Sequence, residues 1–191
     1  MAAGAGAVIL ASVAFDIGHT TTTRDRAGEL RAFVASLNTD IASCNSSLRD
    51  SFSAYQEVTA GRGDLRSTAV SIIRGDEPSC TPAGNTNLYD MVTTQAPATL
   101  RAFGVDAVTS DLSSWAFPQA AAAINDLATA LANPGSTSAA AAGIDLRTRA
   151  STLTQLADSA QAVLDRTAVA LSTSVARLDL GSAGSLRAGG F

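Results

Sequence analysis

Lysine is absent from this 191-residue chain: all 13 basic residues are arginine, against 17 acidic ones, giving a net charge of −4. A nucleic-acid partner needs a clustered excess of cations to neutralise phosphates, so that class is set aside. The chain has one His, two Cys, two Met and one Trp, so the side chains that usually ligate transition metals or act as nucleophiles are nearly missing. A Ser-His-Asp arrangement would have to use His19, which sits beside an apolar run and reads as a solvated or interfacial residue. Finger-like zinc binding lacks ligands, since Cys44, Cys80 and His19 together are not four. No phosphate-loop, dinucleotide or zincin motif occurs, so no cofactor or metal is expected and the chain reads as a non-enzyme. Acidic pairs such as Asp76 with Glu77, or Asp106 with Asp111, are what chance supplies, and they read as solvated surface.

Aromatic residues are only 5% of the chain, whereas 46% of it is apolar. The 39 alanines, with leucine and arginine, favour helix over strand. The length suffices for one real core and for no more than one or two domains.

Residues 2–15, AAGAGAVILASVAF, are apolar throughout and stop at Asp16. Fourteen residues are short for a membrane span and close to the length of a signal-peptide core. Ser12 and Ala14 suit a cleavage site, but no basic residue precedes the run. A chain that begins inside a longer hydrophobic segment fits best. Residues 1–19 are therefore expected to be an anchor or signal remnant, with a buried N-terminal helix as the alternative. Arg24, Arg26 and Arg31 follow closely and, by the positive-inside rule, oppose export. The even cysteine pair favours it, as in an oxidising compartment.

Four hydroxyl residues, Thr20 to Thr23, offer N-caps for a long helix. Ala27, Leu30, Val34, Leu37, Ile41, Cys44, Leu48, Ser51, Tyr55 and Val58 then step by three and four, the spacing of a heptad seam. Gly61 and Gly63 end that helix. A shorter pattern, Leu65, Ala69, Ile72 and Ile73, runs to Gly75. Folded back antiparallel, it returns the chain by roughly 18 Å and brings Cys80 beside Cys44, so a Cys44–Cys80 disulfide is expected.

Residues 75–87, GDEPSCTPAGNTN, read as a surface loop held by Cys80. A third helix is expected over Leu88–Phe103 with a break near Ala96, ahead of Pro97. Val105–Phe117 and Pro118–Leu131 form one kinked helix or two. Ser136–Gly143 reads as a small-residue linker. A last long helix carries Leu146, Ala150, Leu153, Ala157, Ala160, Leu164, Thr167, Leu171, Ser174 and Leu178 at the same spacing. The tail, 181–191, has no periodicity. The expected fold is all-α: an elongated antiparallel helical bundle over 20–180, with two long heptad-patterned helices bracketing two or three shorter ones.

Tyr89, Phe103, Trp115 and Phe117 gather the scarce aromatic area in mid-chain. They read as core filling, or as a candidate ligand or partner surface walled by the few large side chains. Arg62-Gly63-Asp64 spells an adhesion tripeptide at a helix turn, and Asn45-Ser46-Ser47 a glycosylation sequon in mid-helix. Both read as chance. The expected function is a non-enzymatic extracytoplasmic scaffold or protein-interaction module of the bacterial envelope, meeting the membrane through its N-terminal segment and an envelope protein or a second copy through its helices. The alternative is a ligand-binding or sensory domain, which resembles in outline the elongated periplasmic sensor bundles of bacterial receptors, in architecture only.

Overall fold

The computed structural model describes residues 5–93 and 96–180, and the expected tail lies outside them. Among the described residues the chain is helical, with no strands. The α-helices are α1 (Ala5–Thr59), α2 (Arg66–Asp76), α3 (Thr86–Thr93), α4 (Asp106–Ser114), α5 (Ala121–Ala132) and α6 (Thr137–Ala170).

The 55-residue α1 does not start at the threonines. Alanine, leucine and isoleucine upstream propagate the helix, nothing there breaks it, and Thr20 to Thr23 fall inside it. It ends where Gly61 takes φ +111°, a left-handed conformation that favours glycine. Nine of its ten stepped seam positions are buried, all but Tyr55. The stripe packs on α2, α3 and α5 in turn rather than on one partner helix. Each fully buried Leu, Ile or Val on it contributes about 1.5–3 kcal/mol of transfer free energy. Among the described residues no helix is long and apolar enough to cross a membrane.

Helix α2 folds back on α1 and buries Ala69 and Ile73. A 3₁₀ turn, Glu77–Cys80, then delivers Cys80 to Cys44, where the two form a disulfide with their Cα atoms 4.6 Å apart. The expected loop over 75–87 is largely ordered structure instead. Asn85 organises it: its Oδ1 accepts from the Leu88 amide at 3.2 Å, capping α3, while its Nδ2 donates to the Ser79 carbonyl at 2.9 Å. At Gly84 a Cβ would fall 2.3 Å from the Pro78 carbonyl oxygen, so only glycine fits there.

The break expected near Ala96 is present. Helix α3 is described to Thr93, and beyond it the chain turns from Pro97 to Leu100 and into a 3₁₀ turn at Arg101–Phe103. Pro97 has no amide to donate and disfavours helix at Ala96, which prevents α3 from resuming. Pro118 has a milder outcome. Helices α4 and α5 are joined by a π-helical turn, Trp115–Ala120, with Pro118 inside it. The wider turn relieves the clash between the proline ring and the preceding turn. Arg149 of α6 supports the junction, donating from Nη1 to the Pro118 carbonyl at 3.2 Å and from Nε to Asp126 at 2.7 Å.

The small-residue linker is also overturned, because Ser136–Gly143 is the start of α6. The Ser136 hydroxyl accepts from the Ala139 amide at 3.1 Å, and the four alanines that follow are the best helix formers available. At its other end α6 stops at Ala170, not at Leu178. Helix α5 lies at the centre, against α1 and α2 on one side and α6 on the other, and α4 also packs on α6. Trp115, Ile124, Leu127 and Leu146 are fully buried in the core.

Reducing the disulfide, which closes a separation of 36 residues, is expected to lower unfolding stability by about 4 kcal/mol. Urea titrations with and without reductant check this; coincident curves would show that the bridge does not constrain the unfolded chain.

Candidate functional site

The four mid-chain aromatics do not form one surface. Trp115 is fully buried, Phe103 and Phe117 pack half-buried against the core, and Tyr89 is 54% exposed. The adhesion-like tripeptide is exposed at the turn after α1, with Arg62 paired to Glu57 at 3.5 Å. The sequon asparagine, Asn45, is buried in α1.

The most organised polar geometry lies elsewhere, where residues 172–180 leave the end of α6 as a non-helical strap that ends in a tight turn, the Leu180 amide donating to the Leu178 carbonyl at 3.0 Å. The exit is a Schellman cap: the Ser172 amide donates to the Val169 carbonyl at 3.0 Å and the Thr173 amide to the Ala168 carbonyl at 2.9 Å. The residue between cap and strap, Ser172, takes φ +48° and is the only non-glycine among the described residues with positive φ.

Two side-chain amides then hold the strap by its backbone. Asn38 of α1 donates from Nδ2 to the Arg177 carbonyl at 3.1 Å and accepts at Oδ1 from the Asp179 amide at 2.8 Å. A carboxamide used at both ends in this way satisfies an extended backbone much as a neighbouring strand would. From α6, Gln161 accepts from the intervening Leu178 amide at 2.9 Å, and its Nε2 is engaged by Asp165 at 2.7 Å, which fixes the orientation of the amide. Arg31 donates to Thr173 at 2.7 Å, and Arg49 meets Asp179 at 3.6 Å. Leu178 and Leu180 turn inward and are buried, while Arg177 and Asp179 face out. The segment is thus bound as a peptide ligand would be: main-chain hydrogen bonds hold it and alternate side chains enter apolar sockets.

Sequence reasoning missed this strap because Leu171, Ser174 and Leu178 continue the helical spacing of α6. The available signal was Asn38 and Gln161, two amides next to or within apolar stripes. Two hollows border α1, and of the two only the first touches the strap. One, of about 710 Å³, is lined by Thr23, Arg24, Ala27 and Arg31 together with residues 170–173. The other, of about 270 Å³, lies between Phe33, Leu37 and Met91, with Ser36, Asp40, Asp90 and Thr109 supplying polar groups. Burial raises the Asp40 carboxyl above its ordinary pKa, the Ser36 hydroxyl opposes the shift, and the Asp90 charge adds to it.

Asn38→Ala is expected to cost about 1–2 kcal/mol and to speed hydrogen exchange selectively at the Asp179 amide. Uniform exchange across the chain would mean that the amide serves general packing instead. For Asp40 the sign is that of an acid with a raised folded-state pKa: the fold binds the proton more tightly than the unfolded chain, so stability falls as pH rises through that pKa. Asp40→Asn is therefore expected to be more stable than wild type at neutral pH, with the gap closing on acidification. A gap that widens in acid would reverse the assignment.

No protein-family model matches this chain, and no curated protein or solved structure matches it.

Proposed function

We propose that this protein is a non-enzymatic, extracytoplasmic helical-bundle protein of the bacterial cell envelope that acts as a scaffold or protein-interaction module. The observation that carries the interaction reading is the strap: a groove between α1 and α6 that holds a non-helical segment by its backbone, through Asn38 and Gln161. The Cys44–Cys80 bridge supports the compartment, because such bonds persist where thiols are not kept reduced. The apolar run at 2–15 supplies the tether in this reading. The strap also supports an elongated antiparallel arrangement of the long helices. It passes from Arg31 to Arg49 along α1 while returning from the end of α6 towards Gln161, so it runs with α1 and against α6.

The 270 Å³ hollow beside Met91 favours a second reading, ligand binding. Its volume approaches that of small-molecule sites, and Phe33, Leu37 and Met91 give it an apolar side facing Ser36, Asp40, Asp90 and Thr109. A thermal shift with small apolar ligands that is lost in Met91→Trp would move the assignment there.

The compartment is tested by alkylating protein from its own host's membrane fraction without reductant and measuring intact mass. Neither cysteine is expected to be modified until reductant is added. Two freely alkylated thiols in the cell-derived protein would place the chain in a reducing compartment and remove the envelope reading.

A further inference from the structure

We infer that the strap, residues 172–180, exchanges between two copies of this chain, each seating the other's segment in its α1–α6 groove. The inference rests on the interaction-module reading and names the partner as a second copy.

Three observations point to exchange. The groove already fits this segment: Asn38 and Gln161 take its backbone, Arg49 meets Asp179, and Leu178 and Leu180 fill the sockets. A second copy presents the same sequence, so exchange conserves every one of those contacts. A foreign peptide would instead have to displace a tethered segment that is present at high effective concentration. The hinge also stores strain. Ser172 at φ +48° occupies the position of a Schellman cap that glycine normally fills, and an L-residue there is disfavoured by the contact of its Cβ with its own carbonyl oxygen. Because the groove contacts are equal in monomer and dimer, the hinge sets the balance between them, the strain at Ser172 favouring opening and the cap hydrogen bonds to Val169 and Ala168 opposing it. Finally, the sequence accepts an open hinge. At an ordinary negative φ, which suits any L-residue, Ser172 sends the strap away from α6 and leaves residues 173–180 to seat in a partner's groove. The disulfide staples α1 to the turn after α2 and does not involve the strap, so opening leaves the rest of the bundle tied.

The test uses the full oxidised chain, refolded over a range of concentrations, with mass measured by size-exclusion chromatography and light scattering. Ser172→Gly removes the strain of the closed hinge. Ser172→Pro, whose ring holds φ near about −65° and which has no amide to bond Val169, cannot form that hinge. Wild type is expected to dimerise on concentration, the proline variant at lower concentration and the glycine variant at higher, with the two variants' midpoints separated by roughly tenfold or more. Adding Asn38→Ala to Ser172→Pro is expected to raise the concentration at which dimer forms by roughly tenfold or more, because a strap released from its own groove is then held only by the partner's. If the proline variant misfolds by circular dichroism, Ser172→Val, which retains the amide but resists positive φ, takes its place. Monomers for all hinge variants at every concentration would overturn the exchange. So would a dimer that is indifferent to residue 172, or one whose midpoint in the Ser172→Pro background is unchanged by Asn38→Ala, since it would have to form through another face. Failure here leaves the thiol measurement untouched, and free thiols in the cell-derived protein would leave exchange to be judged by mass alone.

Discussion

The apolar stripe of α1 is the surface against which the middle of the chain is assembled. Helices α2, α3 and α5 each dock on a different stretch of it, and the disulfide at Cys44 fixes the first of them. A stripe shared among partners constrains the fold differently from a seam shared between two helices. Each short helix needs only two to four turns of contact, and the order of docking is set by the turns between them. Those turns carry the specific chemistry of the bundle: Asn85 as cap and tie, Gly84 where no side chain fits, and Ser136 at the start of α6. Alanine makes the close approach possible. Ala116, Ala120, Ala123 and Ala128 are buried around the π-helical turn and α5, and such small side chains let α5 sit between α1 and α6.

The same constraint explains the strap. With α5 between them, α1 and α6 do not pack extensively on each other, and the space along their outer edges is filled by residues 172–180. A non-helical segment brings unpaired backbone amides and carbonyls into a half-buried position, where they are costly unless bonded. Asn38 and Gln161 meet that requirement from the two flanking helices. Polar side chains that would weaken a helix–helix seam are therefore placed where a backbone has to be satisfied, and the groove they make is specific for non-helical chain.

Much of the fold was legible because helical burial leaves a periodic trace. The stepped positions from Ala27 to Val58 and from Leu146 to Thr167 are buried with few exceptions, Tyr55 and Ala157 among them. The cysteine pairing followed from helix rise and a turn at two glycines. The errors fall where local signals compete. Small residues from Ser136 to Gly143 can be linker or helix, and the Ser136 cap decides for helix. Pro97 ends a helix for good, whereas Pro118 is absorbed by a π-turn because Arg149 and the packing of α6 hold both sides of it. Of the mid-chain aromatics, Trp115, Phe103 and Phe117 fill or pack against the core, as the first reading of their scarcity has it, whereas Tyr89 faces out.

By itself, the sequence determined the helical class, the buried faces of the long helices and the partner of each cysteine, because these depend on interactions a few turns apart that repeat with the period of the backbone. Only the tertiary structure decided that residues 171–180 leave the helix. Their apolar spacing suits a continued α6 as well as a non-helical strap, and the balance lies with Asn38, some 140 residues earlier on α1. A hydrogen bond between groups so distant in sequence leaves no periodic trace for the chain to show in advance.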